Sequence, residues 1–142
     1  SSRLFFGERL PESEYLARYR VADLFLDTHP YNAGTTASDA LWMGLPVLTL
    51  CGNSFPSRMA SSLLNALKIP ELITLNQNDY ESLAIELAIE PKKLKLIKDK
   101  LDNNISTAPL FDSQKFIKSL ESVYCKMYDR RFNGLTPDHI YD

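Results

Sequence analysis

Residues 23–50 read DLFLDTHPYNAGTTASDALWMGLPVLTL, and two runs inside this stretch decide the fold. Asp23-Leu24-Phe25-Leu26-Asp27 is a compact apolar core bounded by acids, and Val47-Leu48-Thr49-Leu50 is apolar apart from one threonine. Neither alternates apolar with polar residues, so both suit parallel strands covered on both faces. Between them, Thr28 to Gly34 reads as a loop, followed by a helix from Thr35 or Thr36 to about Met43. Gly44 stops that helix and Pro46 prevents its continuation. Strand, helix and strand joined by short loops form the crossover unit of a parallel sheet.

Working outward, Arg3-Leu4-Phe5-Phe6-Gly7 is a short apolar run ended by glycine and predicts a strand. Pro11 suits a first helical turn, and Glu12 and Glu14 suit the positive end of the dipole of a helix reaching about Val21. Downstream, Cys51 to Ser54 turns into a helix with Met59, Leu63 and Leu67 on one face, and Ile73-Thr74-Leu75 predicts a further short strand. Residues 1–76 therefore read as an α/β unit, a small parallel sheet with flanking helices.

Residues 77–142 read as a helical C-terminal segment that covers it. Asn78 and Glu81 have capping-box spacing, before a helix with Tyr80, Leu83, Ala84 and Leu87 on one stripe. Pro91 opens a second helix with Leu94, Ile97 and Leu101 inward. A third begins near Asp112 and places Phe116, Leu120, Val123 and Met127 at heptad-like positions.

The 142 residues suffice for one domain with a real core, and 44% hydrophobic with 24% charged residues is an ordinary globular composition. A formal charge of −2, with no basic stripe, gives no electrostatic case for nucleic acid. The densest positive run, Lys92 to Lys98, interleaves apolar residues at helical spacing and reads as a solvated helix face. Cys51 and Cys125 match no metal or redox spacing and read as free thiols, and His29 and His139 have no partners that suggest a metal site. No apolar run reaches the ~20 residues of a membrane span, and no signal peptide opens the chain. A cytoplasmic setting is the expectation. The chain lacks a starting methionine, which suggests a piece of something longer.

In an open parallel sheet, ligands bind outside the carboxyl ends of the strands, where loops lead into helix N-termini. The strand ending at Asp27 feeds such a junction, and its loop, which includes Tyr31, leads to Gly34-Thr35-Thr36-Ala37-Ser38-Asp39. Glycine admits close approach to the backbone, free first-turn amides face the ligand, two hydroxyls add donors, and the dipole favours an anion. A phosphate or diphosphate fits. The competing reading is structural: Thr35 or Thr36 serves as N-cap, and Thr36 to Asp39 has the spacing of a capping box.

The segments Leu26-Asp27-Thr28, Thr35-Thr36-x-x-Asp39, Leu41-Trp42-x-Gly44-x-Pro46 and Ser57-Arg58-x-Ala60 occur in one order and spacing. Together they resemble the C-terminal catalytic region of O-GlcNAc transferases, above all the bacterial tetratricopeptide-linked type. The likeness continues through Glu71-Leu72-Ile73, Asp79-Tyr80 and Pro109-Leu110-Phe111 to Pro137-Asp138-His139. It implies part of a Rossmann-like lobe of GT-B architecture, the C-terminal lobe that holds a UDP-sugar. By that resemblance Thr35 and Thr36 meet the diphosphate and Asp39 bonds the ribose. Tyr15 stands where the animal enzymes stack a histidine on uracil, with Arg18 on the same helix face. Glu12 replaces a lysine of those enzymes, and Gly34 a histidine.

The implied reaction is metal-independent, inverting transfer of N-acetylglucosamine from UDP-N-acetylglucosamine to serine or threonine hydroxyls. The related O-fucosyltransferases share this region, which leaves the sugar open. The family's phosphate-neutralising lysine, N-terminal lobe and tetratricopeptide array, which serve donor and acceptor protein, all lie outside these residues. No residue here looks like the general base, and the isolated chain is expected to be inactive. The alternative is a non-catalytic module for nucleotide sensing or protein interaction, derived from a transferase lobe. An unrelated nucleotide-binding fold is disfavoured, because no G-x-G-x-x-G or phosphate-binding loop motif occurs.

Overall fold

A computed structural model describes residues 3–141. Helix α1 (Glu12–Arg18) continues into a single 3-10 turn, Tyr19–Val21, and leads to strand β1 (Phe25–Leu26). Then come α2 (Thr35–Trp42), β2 (Val47–Leu50), α3 (Met59–Ala66) and β3 (Ile73–Thr74). Helices α4 (Gln77–Ile89), α5 (Pro91–Ile105) and α6 (Ser113–Phe132) complete the chain. The three strands form one parallel sheet in the order β1-β2-β3. Phe25 pairs with Val47 and Leu26 with Leu48, whereas Thr49 pairs with Ile73 and Leu50 with Thr74. Both neighbours therefore hold β2 along different halves of its length.

Strand β2 is buried at every position, as suits a nearly continuous apolar run in a central parallel strand. The core joins it to the inner faces of the helices. Ala37, Ala40 and Leu41 of α2, Ala60 and Leu64 of α3, Leu87 of α4, and Ile97 and Leu101 of α5 are buried in one cluster. Gly44 ends α2 at φ +80°, a left-handed position where a Cβ would also approach Asp102 Oδ1 to 3.1 Å.

Several local expectations change. Residues 4–7 form no strand: Leu4, Phe5 and Phe6 are exposed, and the sheet of the described residues offers this run no ladder to join. The first strand shrinks to two residues with Leu26 exposed, because among the described residues β1 is an edge paired with β2 alone. On α3 the buried face is Ala60, Leu64 and Leu67, while Met59 and Leu63 are half-buried at its border. The cap of α4 is Asn76, which accepts from Asp79 N at 2.9 Å and donates to the Asp79 carboxylate at 2.7 Å. That reciprocal pair displaces the expected Asn78–Glu81 box by two residues.

The stripes on α4 and α5 are as the periodicity predicts, and Asp112 caps α6 through Lys115 N at 2.9 Å. Helix α6 nevertheless buries no residue, so its heptad positions are not a core seam among the described residues. Trp42 is half-exposed, its ring set edge-on to Phe111 with centroids 5.0 Å apart. The lysine-rich face of α5 is solvated and ion-paired: Lys95 meets Asp99 at 2.9 Å and Lys98 meets Asp23 at 2.8 Å. Cys51 and Cys125 are free thiols.

Candidate functional site

The loop after β1 is built around one carboxylate. Asp27 is buried, and its Oδ1 accepts from Thr28 N at 2.8 Å and from Ala33 N at 2.7 Å. Its Oδ2 accepts from Thr49 Oγ1 at 2.6 Å. Within the loop Thr28 Oγ1 donates to the Tyr31 carbonyl at 2.7 Å, and the Tyr31 ring stands 74% exposed. Asn32 is buried; its Nδ2 donates to Thr28 O at 2.8 Å, and its N–H donates to Pro56 O at 3.1 Å. These bonds hold the chain at the carboxyl end of the sheet and deliver it to α2.

Helix α2 starts at Thr35, with Gly34 as its N-cap and no capping side chain. The threonine-cap reading is thus replaced: Thr35 and Thr36 are the first two helical residues, both exposed, and their side chains leave the end of the helix open. An uncapped N-terminus directs the first-turn N–H groups and the positive end of the dipole outward. Gly34, at φ −101° and ψ −86°, places no side chain over the first amides of α2.

Helix α1 supplies the second wall. Tyr15 Oη donates to Asp39 Oδ2 at 3.4 Å, and the Tyr15 and Tyr19 hydroxyls are hydrogen-bonded to one another. Tyr19 Oη in turn donates to Thr36 O at 3.3 Å. The structure therefore brings Tyr15 and Asp39 together, one turn into α2. Arg18 shares a cleft of about 380 Å³ with Tyr15 and Tyr19, but its guanidinium donates to Glu8 O at 2.7 Å. It faces residues 7–8 and does not reach the start of α2. His29 and His139 are exposed, and the described residues contain no group of three or more side chains able to hold a metal ion.

Burial, the bond to Tyr15, and the nearby Tyr15 and Asp39 charges push the Tyr19 phenol well above its usual range. Burial and the adjacent Asp27 push Tyr80 up as well. The folded protein thus keeps both phenols protonated where an unfolded chain releases them, near pH 10. Stability is unaffected below about pH 10 and falls as pH rises above it, because the unfolded state then binds fewer protons. Urea midpoints between pH 9 and 11.5 should decline less steeply for Tyr19→Phe than for the parent. Equal slopes would show that Tyr19 is not held neutral by its surroundings.

Residues 1–120 match the model of glycosyl transferase family 41. The chain belongs to that family. It is 34% identical over 138 residues to a probable UDP-N-acetylglucosamine–peptide N-acetylglucosaminyltransferase, SEC, of Arabidopsis thaliana, covering 96% of this chain and 14% of that one. It is 33% identical over 139 residues to the UDP-N-acetylglucosamine–peptide N-acetylglucosaminyltransferase of Caenorhabditis elegans, covering 98% and 12% respectively. Among solved structures it resembles a mutant O-GlcNAc transferase of Thermobaculum terrenum, with TM-score 0.78 and 34% identity over 84% of this chain and 23% of that one. The fold is accordingly a portion of a GT-B transferase, and this family 41 chain spans about a seventh or less of the length of the two curated relatives.

Three further residues touch this candidate site without standing out in the sequence. Tyr19 lies one turn beyond Tyr15, and that i, i+4 spacing was the available signal. Thr49 looks like one polar residue in an apolar strand, and only the parallel register places it beside Asp27. Met59 reaches Gly34 from α3: a Cβ there would lie 3.3 Å from Met59 Cε, a contact no local pattern announces.

Proposed function

We propose that this chain forms the donor-holding part of a family 41 glycosyltransferase, binding the diphosphate of a UDP-sugar at the N-terminus of α2. The observation that carries the reading is the uncapped start of α2, with exposed Thr35 and Thr36 and with Asp39 one turn on. First-turn amides and two hydroxyls supply donors to the diphosphate, and the helix dipole favours its charge. The Asp39 carboxylate accepts from a ribose hydroxyl. The Tyr15 contact to it is long at 3.4 Å, so a ligand hydroxyl can compete for the same oxygen. Tyr15 offers its ring to the base, and Tyr31 and Gly34 border the diphosphate from the loop. Arg18 would join them only by leaving Glu8.

For the whole protein the proposal is inverting, metal-independent transfer of N-acetylglucosamine, or a related sugar, to serine or threonine hydroxyls of an acceptor protein. Fixed amides and hydroxyls around the departing diphosphate would stabilise its developing charge. The activities of the relatives support this, as does their much greater length, which leaves room for the other lobe and an acceptor-presenting array. A cytoplasmic setting fits the two free thiols, and among the described residues no helix is long and apolar enough to cross a membrane.

Nitrogen-resolved NMR titration with UDP tests the site. Affinity on the order of millimolar, about −4 kcal/mol, is expected for so small a share of the relatives' length. Shifts should concentrate on the amides of Gly34 to Ala37 and should shrink when Thr35 and Thr36 are both replaced by valine. A folded double variant that titrates like the parent would remove both hydroxyls from the site.

A further inference from the structure

The Asp27 carboxylate is the one buried acid of the described residues, and the donor chemistry proposed above leaves it unused. A carboxylate removed from water is costly unless its lone pairs are filled. Here they are filled in a particular way. One oxygen accepts from Thr28 N and from Ala33 N, the two ends of the loop, and so closes the loop into a ring. The other accepts from Thr49 Oγ1 at 2.6 Å, which ties the ring to the central strand.

Two more bonds extend the frame. Thr74 Oγ1 of β3 donates to the Thr49 carbonyl at 2.9 Å, and Tyr80 Oη of α4 donates to the Asp27 carbonyl at 2.9 Å. The exit of the loop, Ala33, is thereby referenced to all three strands and to α4. The next residue, Gly34, is the N-cap of α2, and the following two are Thr35 and Thr36. With no side chain capping the helix, the direction of its first amides depends on how the backbone enters it. Binding groups tolerate only about half an ångström of error, so an entry fixed at Ala33 matters for an anion bound one residue later.

We infer that Asp27 is the positioning residue of the diphosphate site, setting the N-terminus of α2 through Ala33 without touching the ligand. This inference rests on the donor-site reading. Geometry is what Asp27 supplies, since its charge lies behind the loop and is spent on three donors. An asparagine should therefore replace it: its oxygen can keep both backbone bonds while its amide donates to Thr49 Oγ1. Thr49→Val, equal in shape, removes only the anchor to β2 and leaves the ring intact.

UDP dissociation constants from amide titrations should weaken about tenfold for Asp27→Ala and for Thr49→Val, the scale of one lost hydrogen bond. Asp27→Asn should stay within about twofold, a difference too small to reflect a lost bond. Hydrogen exchange at Ala33 should quicken in Asp27→Ala and stay slow in Asp27→Asn. Should Asp27→Ala fail to fold, Thr49→Val carries the test by itself. Folded Thr49→Val that binds UDP like the parent overturns the role, and so does Asp27→Asn that binds as poorly as the anchor-less variant. Absence of any UDP shift in the parent is a different pattern: the donor-site reading fails, and this inference falls with it.

Discussion

Replacing Leu41 by alanine is expected to lower the unfolding free energy by about 3 kcal/mol, the usual cost of a Leu→Ala cavity in a packed core. Leu41 is fully buried on α2, in the cluster that also holds Val47, Leu64 and Leu101. Helix α2 packs against the central strand and against α3 and α5, so this cluster fills the space between them. For a chain of 142 residues the loss corresponds to a fall in melting temperature on the order of 10 °C. The same change should weaken UDP binding beyond its effect on the folded fraction, because α2 carries Thr35, Thr36 and Asp39. Calorimetry measures the first effect and an amide titration, corrected for folded fraction, the second. A melting temperature within 2–3 °C of the parent would mean that the site collapses around the cavity, contrary to the packing described.

Gly52→Ala is expected to cost about 2–3 kcal/mol through overpacking. A Cβ at residue 52 would lie 2.5 Å from Ser57 Oγ, 2.8 Å from Ser57 Cβ and 3.1 Å from His29 Cε1. Ser57 cannot easily yield. It is 2% exposed, accepts from Ser54 N and donates to Ser54 O, both at 3.0 Å, and its carbonyl accepts from Gly52 N at 2.9 Å. The strain would therefore pass to His29 and the loop from Thr28 to Gly34, which borders the proposed donor site. If this is the mechanism, the double variant Gly52→Ala/Ser57→Gly should be more stable than the sum of the single changes implies. Denaturant unfolding of the four proteins decides it, and strict additivity would exclude a clash at Ser57.

Local chemistry was enough to determine much of the chain. The apolar run Val47–Leu50 forms the central strand, and Gly44 ends α2 in the left-handed conformation. The stripe Tyr80, Leu83, Ala84, Leu87 turns inward on α4, as does Leu94, Ile97, Leu101 on α5. In each case the determinant lies within a few residues of its effect: a nearly continuous apolar run, a missing Cβ, or a 3.6-residue period. The placement of Thr35, Thr36 and Asp39 on one short helix after a strand and loop was legible for the same reason, and the multi-segment family resemblance added their expected roles.

Tertiary structure decided what depends on neighbours remote in sequence. Residues 4–7 have a strand's composition but form none, because a strand exists only with a ladder partner. Phe116, Leu120 and Met127 have a core's spacing yet stay at least partly in water, because burial needs an opposing surface as well as a stripe. Arg18 shares a helix with Tyr15 but donates to the Glu8 carbonyl, an acceptor ten residues back that helix periodicity does not specify. Asp27 and Thr49 lie 22 residues apart and meet only through the parallel register of β1 with β2. Sequence by itself determined that Thr35, Thr36 and Asp39 share one short helix after a strand and a loop; the long-range register of the sheet decided that Asp27, at the head of that loop, meets Thr49.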